Sequence, residues 1–350
     1  MNGAESLRRA LSAVAPPDLL LKQIFNSMLH HPTPVFILGS GRSGTTITAS
    51  LLSNLPGVQI AKETGYLARS LTQLKNISDP RALDLLVREV NLWLETEHWD
   101  NRASVRGFQE FCDRYGISGS TAFIHYVWQL DSNIPWHELS FIGDNTPLYV
   151  MAIPAIQELM PDARFIHMVR DPRDVICSIL KMRFGADDAV AAAMEWHLYL
   201  GCWLLAERNI PADQRMECRY EDLCNAPGET MARLAGFLNF TKADADAALT
   251  QHAADGRKNA AVGFEKVATA SHHTRLREPI SPSRVGRFRS ELTTAQIKAI
   301  EEIAQYGMLA YGYEPFEWHE HPLVRENRIP ILKSMIRDVV NRALKRIRGR

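Results

Sequence analysis

The run Gly39-Ser40-Gly41-Arg42-Ser43-Gly44-Thr45-Thr46 gathers glycines, hydroxyl side chains and one arginine into eight positions. Glycines let a backbone turn so tightly that successive N–H groups point at one anion, and the hydroxyls and guanidinium add further donors. The apolar run Pro34-Val35-Phe36-Ile37-Leu38 precedes it, as a buried parallel strand should read. Ile47, Leu51, Leu52 and Leu55 follow at helical spacing and stop at Pro56-Gly57. A turn from strand into helix adds the positive N-terminal end of the helix to the same anion site. Gly39 and Gly44 have the spacing of the nucleotide-kinase loop G-x-x-x-x-G-K-[ST], whose lysine reaches the β- and γ-phosphates. Here Thr45 stands at the lysine position and the cation comes earlier, at Arg42. A P-loop kinase is therefore the alternative reading, disfavoured by that one residue.

A second basic cluster lies in residues 163–182, which read as a strand running into a helix that starts at Asp171-Pro172. Arg170 falls at the carboxyl end of the strand and Ser178 about two turns into the helix. Ligands of open α/β sheets bind outside the carboxyl ends of the strands, and a guanidinium with a hydroxyl there forms a forked phosphate clamp. The plainer alternative is an ion pair of Arg170 with Asp171 or Asp174. His167 and Cys177, in the same run, read as core residues.

These two motifs carry a resemblance. Arg42-Ser43-Gly44-Thr45-Thr46 resembles the 5′-phosphosulfate loop of the PAPS-dependent sulfotransferases, in the P-R-S-G-T-T form of the tyrosylprotein and many bacterial members. Ser40-Gly41 replaces the residues usual before the arginine. The run from Arg170 to Ser178 resembles the family's R-D-P-R-D-x-x-x-S. The likeness runs from residue 34 to 315. It implies a P-loop-like sulfotransferase fold and PAPS (3′-phosphoadenosine-5′-phosphosulfate) as co-substrate. It implies an enzyme that moves a sulfuryl group to a hydroxyl of a sugar, phenol, lipid or small metabolite and releases 3′,5′-ADP. By the same resemblance Ser40, Gly41, Arg42, Ser43, Gly44, Thr45 and Thr46 bind the 5′ end, and Arg170 and Ser178 the 3′-phosphate. Tyr220, in Arg219-Tyr220-Glu221-Asp222-Leu223, lies near the adenine. Arg284 and Arg287, in Ser283-Arg284-Val285-Gly286-Arg287-Phe288-Arg289, help close over the nucleotide, unless that basic loop is only a solvated face.

Sulfuryl transfer, like phosphoryl transfer, needs in-line attack and stabilisation of charge on the leaving oxygens. Arg42 and the loop amides would supply the stabilisation. Glu63, in Ala61-Lys62-Glu63-Thr64, matches the family's proposed catalytic base. A carboxylate with a reference pKa of ~4.3 is already ionised at neutral pH and can accept the acceptor's proton. The alternative for Glu63 is a surface residue paired with Lys62 or set at a helix N-terminus. His98, His125 and His137 are held in reserve as bases. Gly143-Asp144-Asn145-Thr146-Pro147 departs from the family's G-D-K-T-P: Asn145 can hydrogen-bond but carries no charge. A sulfotransferase-like binding protein with weak or no catalysis is therefore a second alternative.

The elements that must position these groups are short apolar strands alternating with helices. Strands are expected at 34–38, 58–61, 163–169 and 215–220, with helices near 227–238, 242–254 and 293–306 and an irregular basic stretch at 256–290. Helical patterns containing Trp93, Trp99 and Trp128 fill 80–132. This is an α/β chain with a central parallel sheet flanked by helices. Residues 1–33 read as an N-terminal helical segment and 34–318 as the main domain, in which a helical insertion at 66–140 builds the acceptor side. Residues 319–350 read as a tail. There Leu332, Met335, Ile336, Val339, Val340, Ala343, Leu344 and Ile347 form an apolar stripe edged by Lys and Arg. That basic amphipathic helix, 331–350, reads either as a peripheral membrane contact or as a terminal helix packed on the core.

With 40 basic and 40 acidic residues the formal net charge is zero, which argues against a nucleic-acid partner. The five cysteines include no C-x-x-C pair, so neither a disulfide framework nor a zinc site is expected. His272-His273 and His319-x-His321 lack a cysteine or carboxylate constellation, and no metal is expected. No run approaching the ~20 apolar residues of a membrane span is read, and the N-terminus does not read as a signal peptide. A cytoplasmic protein, membrane-peripheral if the tail binds lipid, is the expectation. No pattern names the acceptor or an oligomeric state.

Overall fold

The structure is a computed structural model that describes residues 31–96, 99–182, 188–258 and 280–316. Its strands are β1 Thr33–Gly39, β2 Val58–Ala61, β3 Phe141–Asp144, β4 Arg164–Val169 and β5 Arg215–Arg219. They form one parallel sheet in the order β2-β3-β1-β4-β5. Six described helices precede β4: α1 Thr45–Leu52, α2 Leu71–Lys75, α3 Pro80–Thr96, α4 Val105–Tyr115, α5 Gly119–Gln129 and α6 Ile153–Leu159. After β4 come α7 Pro172–Ile179, α8 Ala189–Ala206, α9 Tyr220–Asn225, α10 Pro227–Phe237, α11 Lys242–Lys258, α12 Phe288–Glu291 and α13 Thr294–Ala310.

β1 is central and buried, as a parallel strand covered on both faces must be. Its side chains alternate between two cores. Phe36 and Leu38 pack with Trp128, Phe165 and Trp203 under α3–α6 and α8. Val35 and Ile37 pack with Leu51, Leu52 and Leu234 under α1, α10 and α11. The sheet with helices on both faces is the architecture expected from the sequence.

The sequence reading missed β3. Its four residues hold only two large apolar side chains before Gly143 and Asp144, too little for a strand signal. Pairing fixes it instead: Phe141 aligns with Val58 on one side and with Thr33 on the other. A Cβ on Gly143 would collide with the backbone carbonyl of Val35, which cannot swing away. Gly143→Ala is therefore expected to cost about 3 kcal/mol, the upper end for overpacking. The denaturant midpoint would read it, and an unchanged midpoint would contradict it.

Four further readings are corrected. The helix α8 was not assigned; Ala189–Asn209 is long and apolar enough to cross a membrane by length and composition, with half of it buried. It is a core helix, with Trp196, Leu200 and Trp203 inside and α13 packed along it. Tyr220 opens α9 rather than closing β5, and α11 runs on to Lys258. The stretch taken as irregular contains α12. Residues 1–30, His98, His272, His273, His319, His321 and the amphipathic segment 331–350 lie outside the described residues.

Candidate functional site

β1 delivers the glycine-rich loop at its carboxyl end. Gly39 takes φ 144°, and a Cβ there would meet the Met168 carbonyl of β4. Gly44 caps α1 with φ 100°; a Cβ there would come within 2.6 Å of Tyr220 Cδ2. Only glycine lets the loop lie this close to β4 and to the Tyr220 ring. Arg42 also has positive φ, 67°, uncommon for a residue with a side chain. The Ser43 amide donates to the Ser40 carbonyl at 3.2 Å and closes the turn. Ser40, Ser43 and Thr45 are buried, and Ser43 Oγ has no hydrogen-bond partner.

The second cluster meets the first. Arg170 follows β4 directly and is 7 % exposed. Its Nη1 donates to the Arg42 carbonyl at 3.2 Å and its Nη2 to the Arg284 carbonyl at 2.8 Å. Its guanidinium lies 4.2 Å from the centre of the Tyr220 ring, and its buried Nε has no partner. Arg42 Nε donates to Ser178 Oγ at 3.1 Å. Loop, strand end, helix α7 and Tyr220 thus converge at the carboxyl edge of the sheet. The ion pair weighed for Arg170 is not found among the described residues. Asp171 binds Arg173 at 2.7 Å instead, and Asp174 accepts the amides of Gly286 and Phe288 at 2.6 and 3.0 Å.

Those last two bonds tie the basic loop 284–288 to α7, and Arg170 ties it to the end of β4. Burial raises the Asp174 pKa, and the amides of Phe288 and Gly286 pull it back. Asp174→Asn can accept only one of the two amides, so an N–H is left unsatisfied. A loss of about 1–3 kcal/mol is expected in chemical denaturation; no loss would show that the loop is held by other contacts. Arg284 lies close enough for its charge to be felt at the Tyr220 phenol. Arg287 pairs with Glu291. Sequence reasoning left Arg173 unassigned. It is buried, with Asp171 and Glu301 as ion partners, the Glu314 carbonyl at 2.9 Å and the Phe288 ring at 4.0 Å. It holds α7 to α13, and only the fold brings those partners together.

β2 ends one residue before Lys62, and the half-buried Glu63 follows. Lys62 reaches Asp131 at 3.4 Å. Tyr199 on α8 has its pKa raised, first by burial, then by Glu195 and, more weakly, by Cys202 and Glu63. Ala61 and Phe36 both align with Asp144. Glu63, Asn145 and the glycine-rich loop therefore leave the sheet from three adjacent strands, at the edge where such sheets bind ligands. Asn145 is 3 % exposed, and its Oδ1 has no partner.

The reserve histidines are elsewhere in character. His125 is buried against the rings of Trp128 and Trp136, and burial pushes its pKa down to about 3. His137 is exposed beside Glu138. His167 stacks on Trp203 at 4.5 Å, inside the core as expected. Cys177 is also buried. Among the described residues no three His, Cys, Asp or Glu side chains are placed to share a metal ion. The edge thus gathers hydroxyl, amide and guanidinium donors for an anion, with Glu63 following the neighbouring strand β2.

Residues 34–244 match the model of a family described as "Sulfotransferase family". Protein-tyrosine sulfotransferase of Drosophila melanogaster is 22 % identical over 287 residues, 81 % of this chain and 52 % of that protein. Protein-tyrosine sulfotransferase A of Caenorhabditis elegans is 23 % identical over 210 residues, 59 % of this chain and 49 % of that protein. The chain spans about half the length of these two curated relatives. Among solved structures, the sulfotransferase domain of the Synechococcus PCC 7002 olefin synthase aligns at 21 % identity. It covers 78 % of this chain and 95 % of that one, with a TM-score of 0.48.

Proposed function

Because the chain belongs to the sulfotransferase family, we propose that it moves a sulfuryl group from PAPS to an acceptor hydroxyl and releases 3′,5′-ADP. One observation carries the reading: the glycine-rich loop and the Arg170–Ser178 cluster, more than a hundred residues apart in sequence, meet through Arg42 Nε on Ser178 Oγ and Arg170 Nη1 on the Arg42 carbonyl. A nucleoside charged at both ends fits such a pair. The buried, unpartnered Ser43 Oγ and Arg170 Nε are donors suited to its oxygens. In this reading the loop 40–46 holds the 5′-phosphosulfate, and Arg170 and Ser178 hold the 3′-phosphate. Tyr220 flanks the adenine, and the segment with Arg284 and Arg287 closes over the nucleotide.

The acceptor oxygen attacks sulfur as the bond from sulfur to the 5′-phosphate oxygen breaks. Glu63 takes the hydroxyl proton, and Arg42 with the loop amides stabilises the charge left on 3′,5′-ADP. The acceptor is a hydroxyl of a sugar, phenol, lipid or small metabolite, approached from the side of α2–α5. A nucleotide-binding relative without turnover is the second reading, favoured by the uncharged Asn145. Incubation with PAPS and a panel of phenols, sugars and lipids, without added metal, separates them. Sulfated product formed in step with 3′,5′-ADP supports the transferase; tight 3′,5′-ADP binding with no product from any of them supports the binder.

A further inference from the structure

We propose that Asp144 is a positioning residue for Glu63, the centre of a buried clamp that fixes the turn on which the carboxylate is carried. The proposal rests on the reading of Glu63 as the base; Asp144 acts through the backbone after it. Asp144 is fully buried at the end of β3. Its Oδ2 accepts the Thr64 hydroxyl at 2.5 Å and the Trp128 indole N–H at 3.2 Å. Its Oδ1 accepts the Thr146 amide at 2.6 Å. Thr146 Oγ1 then accepts the amides of Thr64 and Gly65 at 3.0 and 3.3 Å. Tyr149 completes the arrangement, with its hydroxyl 2.7 Å from Thr64 Oγ1 and accepting the Leu67 amide at 3.2 Å.

The directions of these bonds are set. Thr64 donates its single hydroxyl proton to Asp144, so Tyr149 must donate to Thr64 and accept from Leu67. Three backbone amides just past Glu63 are held this way, and the chain of donors ends on one carboxylate. Such a network works only while its terminal group accepts. A protonated carboxyl would have to donate: toward the Thr146 amide, itself a donor, or to Thr64 Oγ1, which reverses the Thr64–Tyr149 bond and leaves the phenol proton without an acceptor among these groups. Burial raises the Asp144 pKa to about 6, against the lowering effect of its bonds with Thr146, Thr64 and Trp128. Among the described residues the phenols of Tyr66 and Tyr149 face it, both raised by burial and by Asp144 itself. They stay neutral wherever Asp144 titrates. Protonation of Asp144, near pH 6, is therefore expected to weaken the hold on the turn carrying Glu63.

Hydrogen exchange of the full chain reads the clamp without any acceptor. In Asp144→Asn and Thr64→Val the amides of Thr64, Gly65 and Leu67 should exchange about tenfold faster or more, the size of one lost bond, with 3′,5′-ADP affinity kept. Thr64→Ser, which keeps the hydroxyl, should restore protection. Wild-type protection at these amides, corrected for intrinsic rate, should fall between pH 7 and pH 5, and that fall should vanish in Asp144→Asn. With PAPS and the best acceptor of the wild type, Glu63→Gln/Asp144→Asn should turn over no more slowly than Glu63→Gln alone, as expected when one residue acts through the other. Wild-type exchange in both clamp variants overturns the proposal, as do single losses that multiply in the double variant. If Asp144→Asn does not fold, shown by lost 3′,5′-ADP binding, the pair Thr64→Val and Thr64→Ser decides. Loosened amides together with normal turnover of Glu63→Gln would instead sink the base reading and leave the clamp as a structural device.

Discussion

Glu63→Gln should leave 3′,5′-ADP affinity nearly unchanged and lower turnover at saturating PAPS and acceptor by roughly 10²–10⁴-fold, the usual range for general acid–base catalysis. Glutamine keeps the size and the hydrogen bonding of the side chain but removes the basic oxygen. Glu63 follows β2 at the same sheet edge as Asn145 after β3 and the glycine-rich loop after β1. Lys62 pairs with Asp131 at 3.4 Å. If Glu63 only braced the turn, the substitution would weaken nucleotide binding and stability together and spare turnover at saturation. Normal turnover at saturation would remove it from the mechanism. His125 is a poor substitute, enclosed by Trp128 and Trp136.

Arg170→Ala should weaken 3′,5′-ADP by about 1.5–3 kcal/mol, the size of a hydrogen bond to a charged group, or roughly 10- to 150-fold in Kd. A 5′-AMP ligand lacks the 3′-phosphate and should change much less. Some loss is expected even there, because Arg170 also supports the Arg42 carbonyl. Calorimetry of the two ligands gives the ratio directly. Equal losses would contradict the assignment of Arg170 to the 3′ end and leave it as a brace between the loop, Tyr220 and Arg284.

The sheet was legible where burial writes itself into sequence. β1 and β4 are runs of large apolar residues because both faces of each are covered, and Asp171-Pro172 announced α7 with a side-chain cap on the Arg173 amide. β3 was not legible, because a four-residue strand ending in Gly and Asp has no periodicity to detect. Its placement between β2 and β1 is a fact of pairing. The helix α8 escaped because it is apolar on nearly all sides, with Glu195 and His197 interrupting any simple pattern.

The loop and the Arg170 cluster could be found because each is compact in sequence. Their contact could not, since Arg42 and Ser178 are 136 residues apart. The same distance barrier hid the partners of Asp144: Thr64 lies 80 residues away and belongs to another strand's turn. Asn145 stood out in sequence as a missing charge. In the fold it is a buried amide whose carbonyl oxygen has no partner, at the centre of the site edge.

Calorimetry of the full chain with 3′,5′-ADP, ATP and ATP–Mg²⁺ tests the central claim most directly. A site built for a nucleoside charged at its 3′ and 5′ ends should bind 3′,5′-ADP tightly without metal and ATP weakly, with no gain from Mg²⁺. Preference for ATP–Mg²⁺ over 3′,5′-ADP would contradict the account: it would mean that the loop with Thr45 in the lysine position serves a nucleoside triphosphate after all.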